Sequence, residues 1–243
     1  MGEDPGVTSF IVPTAFHGPP GSANGGWAAG ALAACTGTGS ALGRTVEVTL
    51  RLPPPLEVEL AVTHDGDTWR VVDEQGRTVL EARGTDTELE ASAPVEVDEA
   101  RAAEPAYAGH QQHPFPSCFS CGPERAEGDG LRIFPGRVDD LDGRPRVAAP
   151  WVTGEADLRV VWAALDCAGA WAADMEDRMM VLGRMTAEVL GTPVAGEEHV
   201  VVGLARGSEG RKHRTATTVV DPRGAVLGRA EQVWIEVSPD AFA

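Results

Sequence analysis

The chain is short of basic charge, of lysine and tyrosine, and of long apolar runs. Its 20 Lys and Arg face 37 Asp and Glu, a formal charge of −17. That balance excludes a nucleic-acid binder whose affinity comes from neutralising phosphates. Lys212 is the single lysine, and with 29 Gly and 18 Pro the composition looks like that of a GC-rich bacterial genome. No apolar run approaches the ~18 residues of a membrane span. Met1 to Gly6 carry neither a basic nor an apolar leader segment. Four cysteines in 243 residues are too few for a disulfide framework. Charged residues, at 23%, are too sparse and mixed for a disordered acidic tail, and 42% hydrophobic residues suffice for ordinary cores. A soluble cytoplasmic protein of about two compact units is expected, at ~150 residues per unit.

An internal repeat is present. Val71-Val72-Asp73-Glu74-Gln75-Gly76 precedes Val79-Leu80-Glu81-Ala82, and Val219-Val220-Asp221-Pro222-Arg223-Gly224 precedes Val226-Leu227-Gly228-Arg229-Ala230. Each reads as strand, Asp-x-x-Gly turn, strand, at an offset of 221 − 73 = 148 residues. In the first half Val46 to Leu52 alternates, with Val46, Val48, Leu50 and Leu52 on one face, and Pro53 to Pro55 end it before Leu56 to Val62 resumes. In the second half His199 to Leu204 and Thr215 to Val220 are β-rich, separated by a turn at Gly207 to Gly210. One Ala-rich stretch precedes each meander, Gly26 to Cys35 and Val160 to Asp174, and both predict helix. The pattern predicts an α+β domain duplicated in one chain, 1–105 and 106–243. The join falls in Glu88 to Gln112, which lacks periodicity.

Two segments are less generic: Phe16-His17-Gly18-Pro19-Pro20-Gly21-Ser22-Ala23-Asn24-Gly25-Gly26, and Cys118-Phe119-Ser120-Cys121-Gly122-Pro123 followed by Gly128-Asp129-Gly130-Leu131-Arg132. Together they resemble the hot-dog acyl-CoA thioesterase superfamily, particularly its phenylacetyl-CoA-thioesterase-like branch in a tandem double hot-dog form. The resemblance implies a curved antiparallel sheet wrapped around one long helix in each half. It also implies acyl-CoA sites where each helix N-terminus meets the other half's helix.

The family's pattern is His-Gly-Gly opening the helix, with an acid nine positions after the His. Here Asn24-Gly25-Gly26 holds the opening, while position 33 is alanine; Asp166 holds the acid position, while Asp157-Leu158-Arg159 has no glycines. One half keeps the opening and the other the carboxylate, so the resemblance implies one composite site and one dead one. Gly25 and Gly26 amides at a helix N-terminus would polarise a thioester carbonyl, at ~3 kcal/mol per oxyanion donor. Asn24 would hold the carbonyl as well. Asp166, among Ala164, Leu165, Cys167 and Ala168, would be desolvated and act as base or as nucleophile. The plainer alternatives are an Asn24 N-cap with a glycine turn, and an Asp166 paired with Arg178 or Arg184.

Trp27, Trp162 and Trp171 fall on or beside the two helices and read first as core; Trp27, directly after the glycines, is also the candidate to border the acyl pocket. Arg211, Lys212 and Arg214, with Arg206 and His213, form the dense basic cluster, either a solvated turn or a contact for CoA phosphates. His110, His113, Cys118 and Cys121 have ligand types that suit zinc, but only four residues separate the pairs. A redox pair or packing cysteines are the other readings, and packing without a metal is the expectation; Cys35 and Cys167 read as small core residues. No cofactor is expected, because the substrate brings its own CoA. Monomer and homodimer both fit. Enoyl-CoA hydration would want a histidine beside Asp166. A fatty-acyl binding module without turnover is the non-enzyme reading.

Overall fold

A computed structural model describes residues 9–36, 42–154 and 156–242, so the leader expectation on Met1 to Gly6 lies outside the described residues. One antiparallel sheet of 11 strands runs through the molecule. The first half supplies β1 (Ser9–Phe10), β2 (Thr45–Leu50), β3 (Leu60–Asp65), β4 (Thr68–Val72) and β5 (Thr78–Gly84). The second supplies β6 (Gly136–Leu141), β7 (Arg144–Val152), β8 (Met180–Val189), β9 (Glu198–Glu209), β10 (Lys212–Val220) and β11 (Val226–Glu236). The halves join where β2 pairs β8, with Val46 opposite Ala187 and Val48 opposite Met185. Outward from that seam the order is β2-β5-β4-β3-β1 on one side and β8-β11-β10-β9-β7 on the other, with β6 added at the edge. Each strand of the first half thus has a counterpart at the same place in the second, and β6 has none.

The repeated turn is built identically twice. Gly76 N–H donates to Asp73 C=O at 2.9 Å, and Gly224 N–H to Asp221 C=O at 2.9 Å. Both glycines have positive φ, 74° and 82°, which is why the position is glycine. The basic hairpin differs from expectation. β9 runs on through Glu209, and the reversal is the two-residue turn Gly210-Arg211, because Gly207 to Glu209 keep pairing with β10.

Helix α1 (Gly25–Ala34) is apolar on every side because both sides are covered. It packs on β2 and β5 and directly against the second half's helix α3 (Leu158–Ala164). The Ala-rich stretch 160–174 is not one helix. It breaks at Leu165 and Asp166, then resumes as a short helix α4 (Cys167–Ala172) packed on β9 and β10. Nothing local forces that break. Asp166 turns (φ −81°, ψ −84°) to reach α1, and the Leu165 carbonyl takes a hydrogen bond from Gln232 Nε2 at 2.6 Å.

The expected join also gains structure. Helix α2 (Val97–Ala103) packs on β6, β7 and β9 and, with Val95, covers Val200 and Val202. Residues 97–103 therefore pack with the second half. Val201 faces the main core from the same strand, so the valine run 200–202 is buried on both faces.

Candidate active site at the helix crossing

The site is set by how closely α1 and α3 approach. A Cβ on Gly26 would lie 2.5 Å from Trp162 O and 2.6 Å from Asp166 Cβ; one on Gly30 would lie 2.7 Å from Trp162 Cβ. Only glycine permits that spacing. It delivers Asp166, 2% exposed, to the opening of the other half's helix. Asp166 Oδ2 accepts from Gly26 N–H at 2.9 Å and from Asn24 Nδ2 at 3.0 Å, while Oδ1 has no hydrogen-bond partner among the described residues. Burial pushes the Asp166 carboxyl up to about 7, against the pull of the Gly26 amide and Asn24. Arg178 approaches Asp174 and Arg184 pairs with Glu47, so neither forms the alternative bridge to Asp166.

Asn24 is the N-cap of α1 as well as a partner of Asp166. Its Oδ1 accepts from Trp27 N–H at 2.8 Å, and Nδ2 also donates to Ser120 Oγ at 3.1 Å. Ser120, which the sequence reading passed over, donates in turn to Ala163 C=O at 2.8 Å and so ties α3 to the site. The two amide protons of Asn24 are thus committed to Asp166 and Ser120. The Gly26 amide is committed to the carboxylate. Gly25 N–H, the first of the helix, has no partner among the described residues.

Asn24, Gly25 and Asp166 line one cavity of about 30 Å³ together with Cys118, Cys121 and Cys167. One water needs ~10–15 Å³ on such a measure, so a single water fits. Gly25 and Leu182 also line an adjoining apolar cleft of about 270 Å³, walled by Leu50, Leu52, Val181, Ile235 and Phe242. Arg51 is the one charged residue in that lining, and it pairs with Glu81 at 3.1 Å.

The other expected substrate contacts lie elsewhere. Trp27 stacks on Phe16 (centroids 4.3 Å apart) beneath Arg159, and lines neither the cavity nor the cleft. The reason is its place on α1, whose second residue already faces α3. Arg211, Lys212 and Arg214 sit on the β9–β10 hairpin and line neither space; Arg214 pairs with Glu209 at 3.1 Å. His213 is buried, with Nε2 3.5 Å from a Glu236 carboxylate oxygen. His110 is exposed and packs edge-on to Tyr107, whereas the second half's Cys167 stands with Cys118 and Cys121. Burial lowers the His113 ring to about 4.

No family model matches the chain, and no curated protein is similar to it in sequence. Solved structures are similar over its whole length. A conserved protein of unknown function with a hot-dog fold from Alicyclobacillus acidocaldarius shares 12% identity over 95% of this chain and 93% of that one (TM-score 0.63). The TesB protein of Mycobacterium avium subsp. paratuberculosis shares 14% over 97% and 96% (TM-score 0.57). The dehydratase domain of a mycocerosic acid synthase-like polyketide synthase shares 14% over 94% and 83% (TM-score 0.53). The fold is therefore a tandem hot-dog, two curved antiparallel halves and their helices in one chain. No helix among the described residues is long and apolar enough to cross a membrane.

Proposed function

We propose that the chain is an acyl-CoA thioesterase-like hydrolase with one composite active site between its halves. The observation that carries this reading is the buried carboxylate of Asp166 held across the α1–α3 crossing by Gly26 N–H and Asn24, with Oδ1 left free. The acyl chain lies in the apolar cleft, and the thioester oxygen takes the unpartnered Gly25 N–H at the junction of cleft and cavity. Water in the small cavity gives its proton to Asp166 Oδ1 as it attacks the carbonyl carbon. The C–S bond then breaks, and CoA leaves with a proton as the free thiol. Direct attack by Asp166 would instead form an anhydride that water opens. No cofactor takes part. The hydratase reading loses ground because no histidine hydrogen-bonds Asp166 among the described residues.

A second reading has its own support. Asn24 and Gly26 are both committed to Asp166, which leaves Gly25 as the single free oxyanion donor and fits a binding module without turnover. One experiment separates the two: CoA release, resolved by chromatography, from short, medium, long and aromatic acyl-CoAs with wild type and Asp166→Asn. Turnover that collapses in the variant supports the hydrolase. Binding by calorimetry with no turnover on any substrate supports the module. Turnover untouched by the substitution removes Asp166 from the mechanism. Single turnover in ¹⁸O-water then tests the nucleophile route, since label enters the Asp166 peptide only when water opens an anhydride at the Asp166 carbonyl.

A further inference from the structure

We propose that Cys118, Cys121 and Cys167 bind one zinc ion. The three thiols come from two remote segments, a loop between the halves and the first residue of α4. All are buried, and their sulfurs lie within 4.8 Å of one another. Cys118 Sγ and Cys167 Sγ are 3.8 Å apart. Thiolates held ~2.3 Å from one ion at the tetrahedral angle stand about 3.8 Å from each other.

Backbone and side-chain donors close around the cluster. The chain folds tightly over Cys118: Gly122 N–H donates to Cys118 C=O at 2.9 Å, and Asn24 Nδ2 lies 3.7 Å from Cys118 Sγ. A Cβ on Gly122 would lie 2.5 Å from Cys118 N and 2.6 Å from Pro116 O, so this turn requires glycine. On the other side His113 Nε2 lies 3.3 Å from Cys121 Sγ, while its Nδ1 accepts from Phe115 N–H at 2.9 Å. The proton therefore sits on Nε2, which donates to the sulfur and stays outside the coordination shell. Neutral thiols are weak acceptors, and packing alone gives no reason for the Asn24 amide and the His113 ring both to be turned on them. A disulfide would use two of the sulfurs and strand the third.

The fourth corner of the tetrahedron falls to solvent in the 30 Å³ cavity that all three cysteines line. The ion would clip the 113–122 loop to the start of α4. Ser120, between two of its ligands, then becomes a positioning residue, holding Asn24 and through it Asp166. This inference does not rest on the hydrolase reading, and its test reads metal.

The full chain, made without a histidine tag and under a phosphine reductant, is analysed for zinc by mass spectrometry; about one ion per chain is expected. Cys121→Ser and Cys167→Ser lower that content at least about tenfold, while Cys35→Ser, outside the cluster, keeps it. Should the serine variants not fold, the chelator-stripped wild type is titrated with cobalt(II). A thiolate-to-cobalt charge-transfer band saturating at one equivalent and erased by zinc is expected. Wild type without zinc and without that band overturns the proposal, as does a folded Cys167→Ser variant that retains full zinc.

Discussion

The chain contains the same helix opening twice, and the two have opposite characters. At the start of α1, Asn24 caps the helix and Gly26 N–H holds a carboxylate from the other half. At the start of α3, 157 − 24 = 133 residues on, Asp157 caps Arg159 and Val160 N–H and pairs with the Arg159 side chain. Its carboxylate is 47% exposed. Despite its burial, Arg159 and the nearby amides hold Asp157 below its ordinary range, whereas burial drives Asp166 up. The position facing α3 that matches Asp166 is Ala33, buried and without chemistry, since 166 − 33 is again 133. A carboxylate at a helix start becomes a site only when a second helix can come close enough to bury it. Here Gly26 and Gly30 on α1 provide that approach, and the matching positions on α3 are Arg159 and Ala163.

The largest expected effect separates the two aspartates. Asp166→Asn lowers CoA release about 10³-fold, within the usual range for a general base. Asp157→Asn leaves release within about twofold in the same assay, because Asn also caps a helix well. Equal losses in both would end the asymmetry. Next in size, Ala33→Asp buries a carboxylate where no glycine amide receives it, and a denaturant titration should record a loss of about 3 kcal/mol. A neutral result there would mean that the second opening still accepts an acid.

Gly26→Ala tests the approach itself. The added methyl must part α1 from α3, costing ~1–3 kcal/mol in the melt. Its turnover should fall on the order of 10²-fold, as misplacement of a reacting group does. Unchanged turnover would show that the crossing tolerates a wider gap. The smallest effect falls at the helix break. Gln232→Leu leaves the Leu165 carbonyl and Thr217 Oγ1 without that donor and should cost ~1–3 kcal/mol. No change in stability would mean that the break does not need Gln232.

Much of the fold was legible locally. The Asp73 and Asp221 turns carry their own acceptor and glycine, and Val46 and Val48 alternate onto a buried face. Other elements were hidden by their own composition. β7 holds Pro145 and Pro150 and reads poorly as a strand, yet it pairs β9 from Arg146 to Val152. The α3–α4 break was invisible because 160–174 contains good helix formers, and the interruption comes from partners 140 and 67 residues away. Of the two readings of Trp27 the core one holds, since adjacency in sequence to Gly26 says nothing about which side of α1 faces the cleft. Arg211, Lys212 and Arg214 were judged by charge alone, and charge does not locate a hairpin relative to a cavity.

By itself the sequence determined the duplication, the two capped helices and the division of residues between them, because turns, caps and alternation are set by neighbours within a few positions. The resemblance implied that Asp166 would meet the Asn24–Gly26 opening; only the tertiary structure decided that its Oδ2 takes both Gly26 N–H and Asn24, that Gly25 keeps a free amide, and that Cys167 joins Cys118 and Cys121. Those outcomes depend on how closely two helices from different halves can pack, and that distance is fixed by missing side chains at Gly26 and Gly30, across a crossing that sequence spacing does not encode.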